Sequence, residues 1–228
     1  SDDRLVAGAC AVILGQLEAH RCDCLTFDAL YGRPGALHPL SLFASPSVSA
    51  GRVDPRVALV YGKGAVWGKV YRRSLVTQNN ITFMNIPTGE DIVFAKQAFA
   101  CAQHIVYCDK PLYVYIDNPV SLMHDEALLD EETPAAIYEE LRRRLLDRDF
   151  EEELNSLYYI LVVYPTMIAL LRKGASARTC AERFERLASG WHRPDRYFAR
   201  LERKFKLGRH LFRMHQFWLV RWALERGR

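Results

Sequence analysis

What the chain lacks narrows it first. Its six cysteines, at 10, 22, 24, 101, 108 and 180, fall in apolar stretches without regular spacing. That excludes the disulfide framework of a small secreted domain and implies reduced thiols in a cytosolic protein. Cys22-Asp23-Cys24 has no second cysteine pair and no His-x-x-x-His to complete a zinc set, so its expected role is packing at a strand start. A phosphate-binding loop is missing too. "YGKGAVWGK" (61–69) has five residues between Gly62 and Gly68 where that motif needs four, Val70 follows Lys69 where Ser or Thr would hold magnesium, and Trp67 stands where a G-x-G-x-x-G pattern needs its third glycine. No charged leader with an apolar stretch stands at the start, so no signal peptide is read there. The one long apolar run, "LNSLYYILVVYPTMIALL" (154–171), is broken by Asn155, Ser156 and Pro165. It barely reaches spanning length and predicts a buried core helix. No internal repeat is visible.

What remains is the balance of a folded globular protein. Half of the residues are hydrophobic and a quarter charged, and 228 residues can bury a sizeable core in one or two domains. The formal charge of +4 hides a split: residues 171–228 hold 16 Lys and Arg against 5 Asp and Glu, whereas residues 1–170 hold 15 against 22. Basic character belongs to the tail.

Periodicity predicts a helix over 5–20 and a short strand over 24–31. The Gly-, Pro- and Ser-rich stretch 32–55 predicts a long surface loop. "YGKGAVWGK" predicts a tight loop that delivers Trp67 and Lys69 to a cleft or interface, followed by a short helix within 66–80. Ile81 to Phe83 predicts a brief extended piece, and "HIVYC" (104–108) and "LYVYI" (112–116) two β-rich runs joined by a turn at Asp109-Lys110-Pro111. From about residue 125 the pattern is helical only, with Ile137, Leu141 and Leu145 at four-residue steps and a stop at Gly190. A domain boundary is expected near 122–130.

"NIPTGEDIVF" (85–94) sets Glu90 and Asp91 against an apolar helical run. Capping explains part of this: Thr88 and Asp91 fit the S/T-x-x-D/E box, and a first helical turn favours negative charge. Glu90 is left over.

"VWGKVYRRSLVTQNNITF", "TGEDIVFAKQAFACAQHIVYCDKPLYVYIDNPVSLM" and the segment between them resemble the second half of the catalytic domain of family 2 glycosyltransferases, the GT-A fold enzymes of bacterial surface polysaccharide synthesis. That family shows W-x-K-x-Y-R-R, then E-D-x-x-F, then a hairpin of the form D-K-P-L-Y-x-Y ending in N-P-x-S, and the order and spacing agree along residues 66–123. "SDDRLVAGACAVILGQLEAHRCDCLTFDAL" resembles the part of the family that begins at its D-x-D-D motif. The segment that binds the nucleotide base and ribose has no counterpart here, so this chain alone is expected to transfer no sugar.

The resemblance implies an α/β fold, the acceptor-side half of a GT-A domain over 1–124, followed by an all-α domain over 125–228. It implies an inverting hexosyltransferase-like enzyme that moves a sugar from a nucleotide-sugar donor to a saccharide or lipid-linked acceptor. Asp91 matches the general base that takes the acceptor hydroxyl proton, and Glu90 the residue that orients the acceptor or the loop. The helix start is expected to fix the Asp91 carboxylate and lower its pKa. Trp67 and Lys69 are implied as contacts to acceptor or diphosphate, Trp67 alternatively as core. Arg72 and Arg73 are implied as partners of donor phosphates, with room for one of the two. Asp2 and Asp3 match ligands of a divalent Mn or Mg ion, and His124 a third ligand or a diphosphate contact; without the resemblance Asp2 and Asp3 are an acidic terminus capping the next helix.

"RYFARLERKFKLGRHLFRMHQFWLVRWALERGR" (196–228) interleaves aromatic and basic residues. This predicts a helix on an anionic membrane surface, or one packed on the protein with a solvated basic face. No nucleic-acid motif accompanies it, and nucleic acid is not expected as a partner. The expected location is cytoplasmic, with the tail on the inner face of the cell membrane. The rival reading is a non-catalytic interaction or membrane-docking module derived from the same fold.

Overall fold

The computed structural model describes residues 2–86, 88–118, 132–191 and 196–226, and the chain divides into two compact units, Ser1–Leu128 and Leu129–Arg228.

The first unit is built on two long strands, β2 (Cys24–Arg33) and β6 (Ile105–Ile116), which run parallel with Cys24 beside Ile105 and Gly32 beside Ile116. Short antiparallel strands complete the sheet at both ends of this pair. At the N-terminal end, β4 (Gly51–Val53) flanks β6 and β5 (Lys69–Tyr71) flanks β2. At the C-terminal end, β1 (Arg4–Leu5) flanks β6 and β3 (Ala36–Leu40) flanks β2. Helix α1 (Ala9–His20) lays Ala9 and Ile13 on Leu25, Phe27, Val106, Cys108 and Leu112, one buried cluster of alternate strand residues. Helices α2 (Pro55–Tyr61), α3 (Arg73–Gln78) and α4 (Glu90–Cys101) complete the unit, and α4 buries every residue from Val93 to Ala100.

Several expectations are corrected. Asp109-Lys110-Pro111 is not a hairpin turn: both β-rich runs belong to β6, and the extra residues form an irregularity where Phe27 pairs Cys108 but Asp28 pairs Pro111. A bulge absorbs extra residues without reversing the strand. The expected loop 32–55 holds β3 and β4. It is pinned by Asp28, whose carboxylate accepts from the Leu42 N–H at 2.8 Å and the Tyr107 hydroxyl at 2.7 Å. Helix α2 was not foreseen, although Asp54 caps it in the ordinary way, accepting from the Arg56 and Val57 N–H groups, with Pro55 at its first position. The expected helix within 66–80 divides into β5 and α3, and Ile81–Phe83 carries no strand. Helix α1 begins at Ala9, after β1, rather than at residue 5.

The second unit is helical throughout its described residues: α5 (Thr133–Arg144), α6 (Glu151–Tyr158), α7 (Tyr164–Arg172), α8 (Ala177–Ser189), α9 (Arg203–Arg213) and α10 (Phe217–Arg226). Helices α6 and α7 are continuous through a wide π turn at Tyr159–Val163. Pro165 explains it, because a proline ring clashes with the carbonyl four residues earlier and widening the turn relieves the clash. Glu151–Arg172 is long and apolar enough to span a membrane by composition, yet 56% of its apolar window is buried within the protein. Leu157, Tyr159, Val163 and Met167 lie in the core of the unit, and the Tyr159 hydroxyl donates to the Phe205 carbonyl at 3.0 Å.

Candidate functional site

The start of α4 is the centre of the site. Gly89 precedes it with φ 81°, a left-handed turn open to glycine, and no side chain caps the helix. The Thr88–Asp91 box is therefore not formed, and Glu90 and Asp91 are the first two residues of the helix. Asp91 is half-buried. Burial first, and Glu90 second, raise its pKa above the ordinary carboxylate value, while the Val66 N–H and the Lys69 charge pull it back. The expected lowering by the helix start is overturned, since desolvation outweighs it.

The glycines that fail as a phosphate loop have another use. A Cβ on Gly64 would sit 2.8 Å from Cγ1 and 3.1 Å from Cα of Ile92, so only glycine lets the 62–68 loop lie directly on α4 beside Asp91. The loop then carries Trp67 onto β6. The indole stacks on Tyr113 (centroids 5.2 Å apart, planes 10° apart) and Tyr115 (4.9 Å, 24°), and Tyr115 stacks on Tyr31 at 5.5 Å. Trp67 thus gives ring surface to tyrosines of the sheet, and the aromatic wall is a run of four rings rather than one exposed Trp.

This wall stands at the carboxyl ends of β2 and β6, where open parallel sheets bind their ligands. Both Asp3 and Asp91 act on the Tyr115 hydroxyl, which burial and these carboxylates make less acidic. The site therefore combines a half-buried carboxylate, Asp91, with Glu90 beside it and an aromatic wall. Tyr31, Tyr113 and Tyr115 were missed from sequence. Their one signal was the alternation in "LYVYI", which places Tyr113 and Tyr115 on one side of a strand.

Lys69 belongs to the site but not to its surface. It is 9% exposed, donates from Nζ to the Ala65 carbonyl at 2.5 Å and lies 5.7 Å from the Phe99 ring centre. Burial pulls its pKa down to about 8. A contact with acceptor or diphosphate is replaced by a role inside the loop.

Arg72 lies elsewhere. Its guanidinium pairs with Asp23 at 3.2 Å and donates to the Arg21 and Cys22 carbonyls at 3.0 and 3.2 Å. Asp23 precedes β2 while Tyr31 stands near its end, a separation of about 25 Å at the rise of a strand. Arg72 fastens the turn between α1 and β2 and is corrected from phosphate partner to structural tie. Arg73 is exposed at the start of α3.

Asp3 accepts from the Tyr113 hydroxyl at 2.9 Å with one oxygen and from the Ile116 N–H at 3.0 Å with the other, and Asp2 accepts from the Asn118 amide at 2.8 Å. His124 lies outside the described residues. Among the described residues no three Asp, Glu, His or Cys side chains form a metal-binding group. Each Asp3 oxygen accepts one of these hydrogen bonds and keeps a further lone pair.

No protein-family model and no curated protein matches the chain. Solved structures do. Over its whole length the chain superposes on residues 1–349 of S. aureus TarS in complex with UDP-GlcNAc, with a TM-score of 0.61 and 19% identity, covering 66% of that chain. A second structure of S. aureus TarS 1–349 gives 0.59 at 18% identity, with 100% of this chain and 65% of that chain covered. A further, longer structure of S. aureus TarS gives 0.54 at 18% identity, with 96% of this chain and 38% of that chain covered. The chain thus spans about two-thirds of the TarS fragment, and its mixed α/β architecture is the glycosyltransferase fold of those structures.

Proposed function

We propose that the protein is a glycosyltransferase whose acceptor side is formed by the first unit, with Asp91 as general base. The observation that carries this reading is the placement of a half-buried carboxylate beside the aromatic wall of Trp67, Tyr113, Tyr115 and Tyr31, at the carboxyl ends of the parallel strands. Tyrosine and tryptophan edges suit a sugar, whose C–H faces need apolar contact and whose hydroxyls need polar partners. A raised carboxylate pKa suits a base, which accepts best when its pKa approaches the working pH.

In the proposed reaction an acceptor hydroxyl oxygen attacks the anomeric carbon of a nucleoside diphosphate sugar. The new C–O bond forms as the bond to the diphosphate breaks, the leaving diphosphate keeps the electron pair, and the hydroxyl proton passes to Asp91. Inversion at the anomeric carbon follows from a single displacement. Glu90 stands beside Asp91 and favours its protonated form as the proton arrives. No step is assigned to a metal. The donor proposed is a UDP-sugar, since one solved structure with this fold, S. aureus TarS, holds UDP-GlcNAc; the acceptor proposed is a saccharide or lipid-linked saccharide.

The tail adds a docking surface to this proposal. Phe205, Phe212 and Phe217 are buried, whereas Trp218 is 64% and Trp222 49% exposed, one turn apart on α10, with the Arg226 guanidinium 4.1 Å from the Trp222 ring centre. Paired exposed tryptophans beside an exposed arginine, in a basic tail, suit an anionic lipid surface.

Asp91→Asn tests the central assignment. In the protein as the cell makes it, UDP release from UDP-glucose and UDP-N-acetylglucosamine with an oligosaccharide acceptor is expected to fall by about two to four orders of magnitude, the scale of a lost general base. Turnover within threefold of the parent would remove Asp91 from the chemistry.

A further inference from the structure

We infer that Lys69 is a positioning residue for Asp91, acting through the single peptide group that joins Ala65 to Val66. The Lys69 ammonium donates to the Ala65 carbonyl, and the Val66 N–H donates to the Asp91 carboxylate. That carbonyl and that N–H belong to one planar amide. Ammonium, amide and carboxylate therefore form a chain of hydrogen bonds in which each member polarises the next, and the buried setting strengthens the effect.

Two features fix the chain in place. Lys69 begins β5 and pairs with Thr26 of β2, which ties its backbone to the sheet. Its side chain is buried, so it does not reach a ligand from this position. What it offers is a charge held at a set place behind the peptide. The same peptide immediately precedes Trp67, so the relay also anchors the loop that carries the aromatic wall.

Asp91 faces Glu90 on α4 and Lys69 on β5, and its charge reaches Tyr71 on β5 and Tyr115 on β6. Lys69 in turn faces Cys24 on β2, Lys63 in the loop and Lys96 on α4. Burial and Glu90 raise the proton affinity of Asp91, and the Val66 N–H and Lys69, the two other members of the chain, oppose that rise.

The inference rests on Asp91 as base for its functional meaning, but its test does not. The Asp91 carboxyl is titrated by carbon-13 NMR in the parent chain and in Lys69→Met and Lys69→Gln, with Asp91→Asn assigning the signal. A rise of about one unit in both variants is expected, equivalent to tenfold in proton affinity. The Val66 amide proton signal is expected to move with it. An unmoved Asp91, or a moved Asp91 with an unmoved Val66 amide, overturns the relay. Should neither lysine variant fold, the coupling is read from the other end: it is reciprocal, so Asp91→Asn must lower the Lys69 pKa, followed at its side-chain nitrogen, and an unchanged value overturns the inference. In the active protein the acid limb of kcat/KM should shift by the same amount in Lys69→Gln. NMR coupling without an acid limb would keep the relay and remove Asp91 as base.

Discussion

Lys96 shows what one residue can hold in this fold. It is 2% exposed on α4 and donates to the carbonyls of Leu59, Val60 and Gly62 at 2.7, 3.1 and 2.6 Å, closing the end of α2. Burial and the nearby Lys69 charge push its pKa down to about 7, while three carbonyl acceptors need the three N–H groups that only the ammonium form has. Lys96→Met keeps the length and leaves those carbonyls without donors. The expected loss is about 3 kcal/mol, a fall in Tm of about 6–12 °C; a fall under 2 °C would show that the amine contributes little. Asp91 is the opposite case. Its folded pKa lies above the ordinary 3.8, so the folded state holds its proton more tightly than the unfolded chain. Stability is therefore lost as pH rises from about 3.8 through the folded pKa. Asp91→Asn removes this titration and can still accept from Val66. Its Tm at pH 7 should equal or exceed that of the parent, with the gain vanishing in acid below 3.8, whereas a marked drop at pH 7 would make Asp91 a structural cap.

Among the elements, β6 and α10 carry the most consequence. The irregularity at 109–111 lets one strand serve both ends of the sheet, pairing β4 before it and β1 after it. It places Tyr113 and Tyr115 under Trp67. Helix α10 buries Phe217 and Val220 and leaves Trp218 and Trp222 outside. Flotation with phosphatidylcholine vesicles, with and without phosphatidylglycerol, tests this face. Binding only to the anionic vesicles is expected, weakened in molar salt because polybasic attraction is screened beyond a few ångströms there, and lost at least tenfold in Trp218→Ser with Trp222→Ser. Equal binding to both vesicle types, or an unchanged affinity in the double variant, would leave the helix as a packed element with a solvated face.

At the scale of the whole molecule, each unit has its own core. The first centres on β2, β6 and α4, the second on Tyr159, Leu157, Met167 and Phe212. Units with separate cores are expected to unfold separately. Trp67 reports on the first and Trp191, Trp218 and Trp222 on the second, so fluorescence of the parent and of Trp67→Phe should give two denaturant midpoints. Coincident transitions by both probes would make the chain one cooperative body.

The sequence by itself determined the elements whose pattern is local: α1 over most of its length, β2, α4 at the acidic pair, and the helices after residue 132. It also drew Asp91, Glu90, Trp67 and Lys69 together, because loop and helix start are close along the resembling segment. Tertiary structure decided the rest. That β6 runs straight through Asp109-Lys110-Pro111 depends on β2 lying beside both halves, and a turn signal of three residues carries no information about that partner. That Arg72 is bonded at the far end of β2 follows from where the strand delivers it, since two adjacent arginines look alike in sequence. The raised pKa of Asp91 is likewise a property of the folded protein: a helix start alone lowers a carboxylate pKa, and burial, followed by Glu90, reverses the sign.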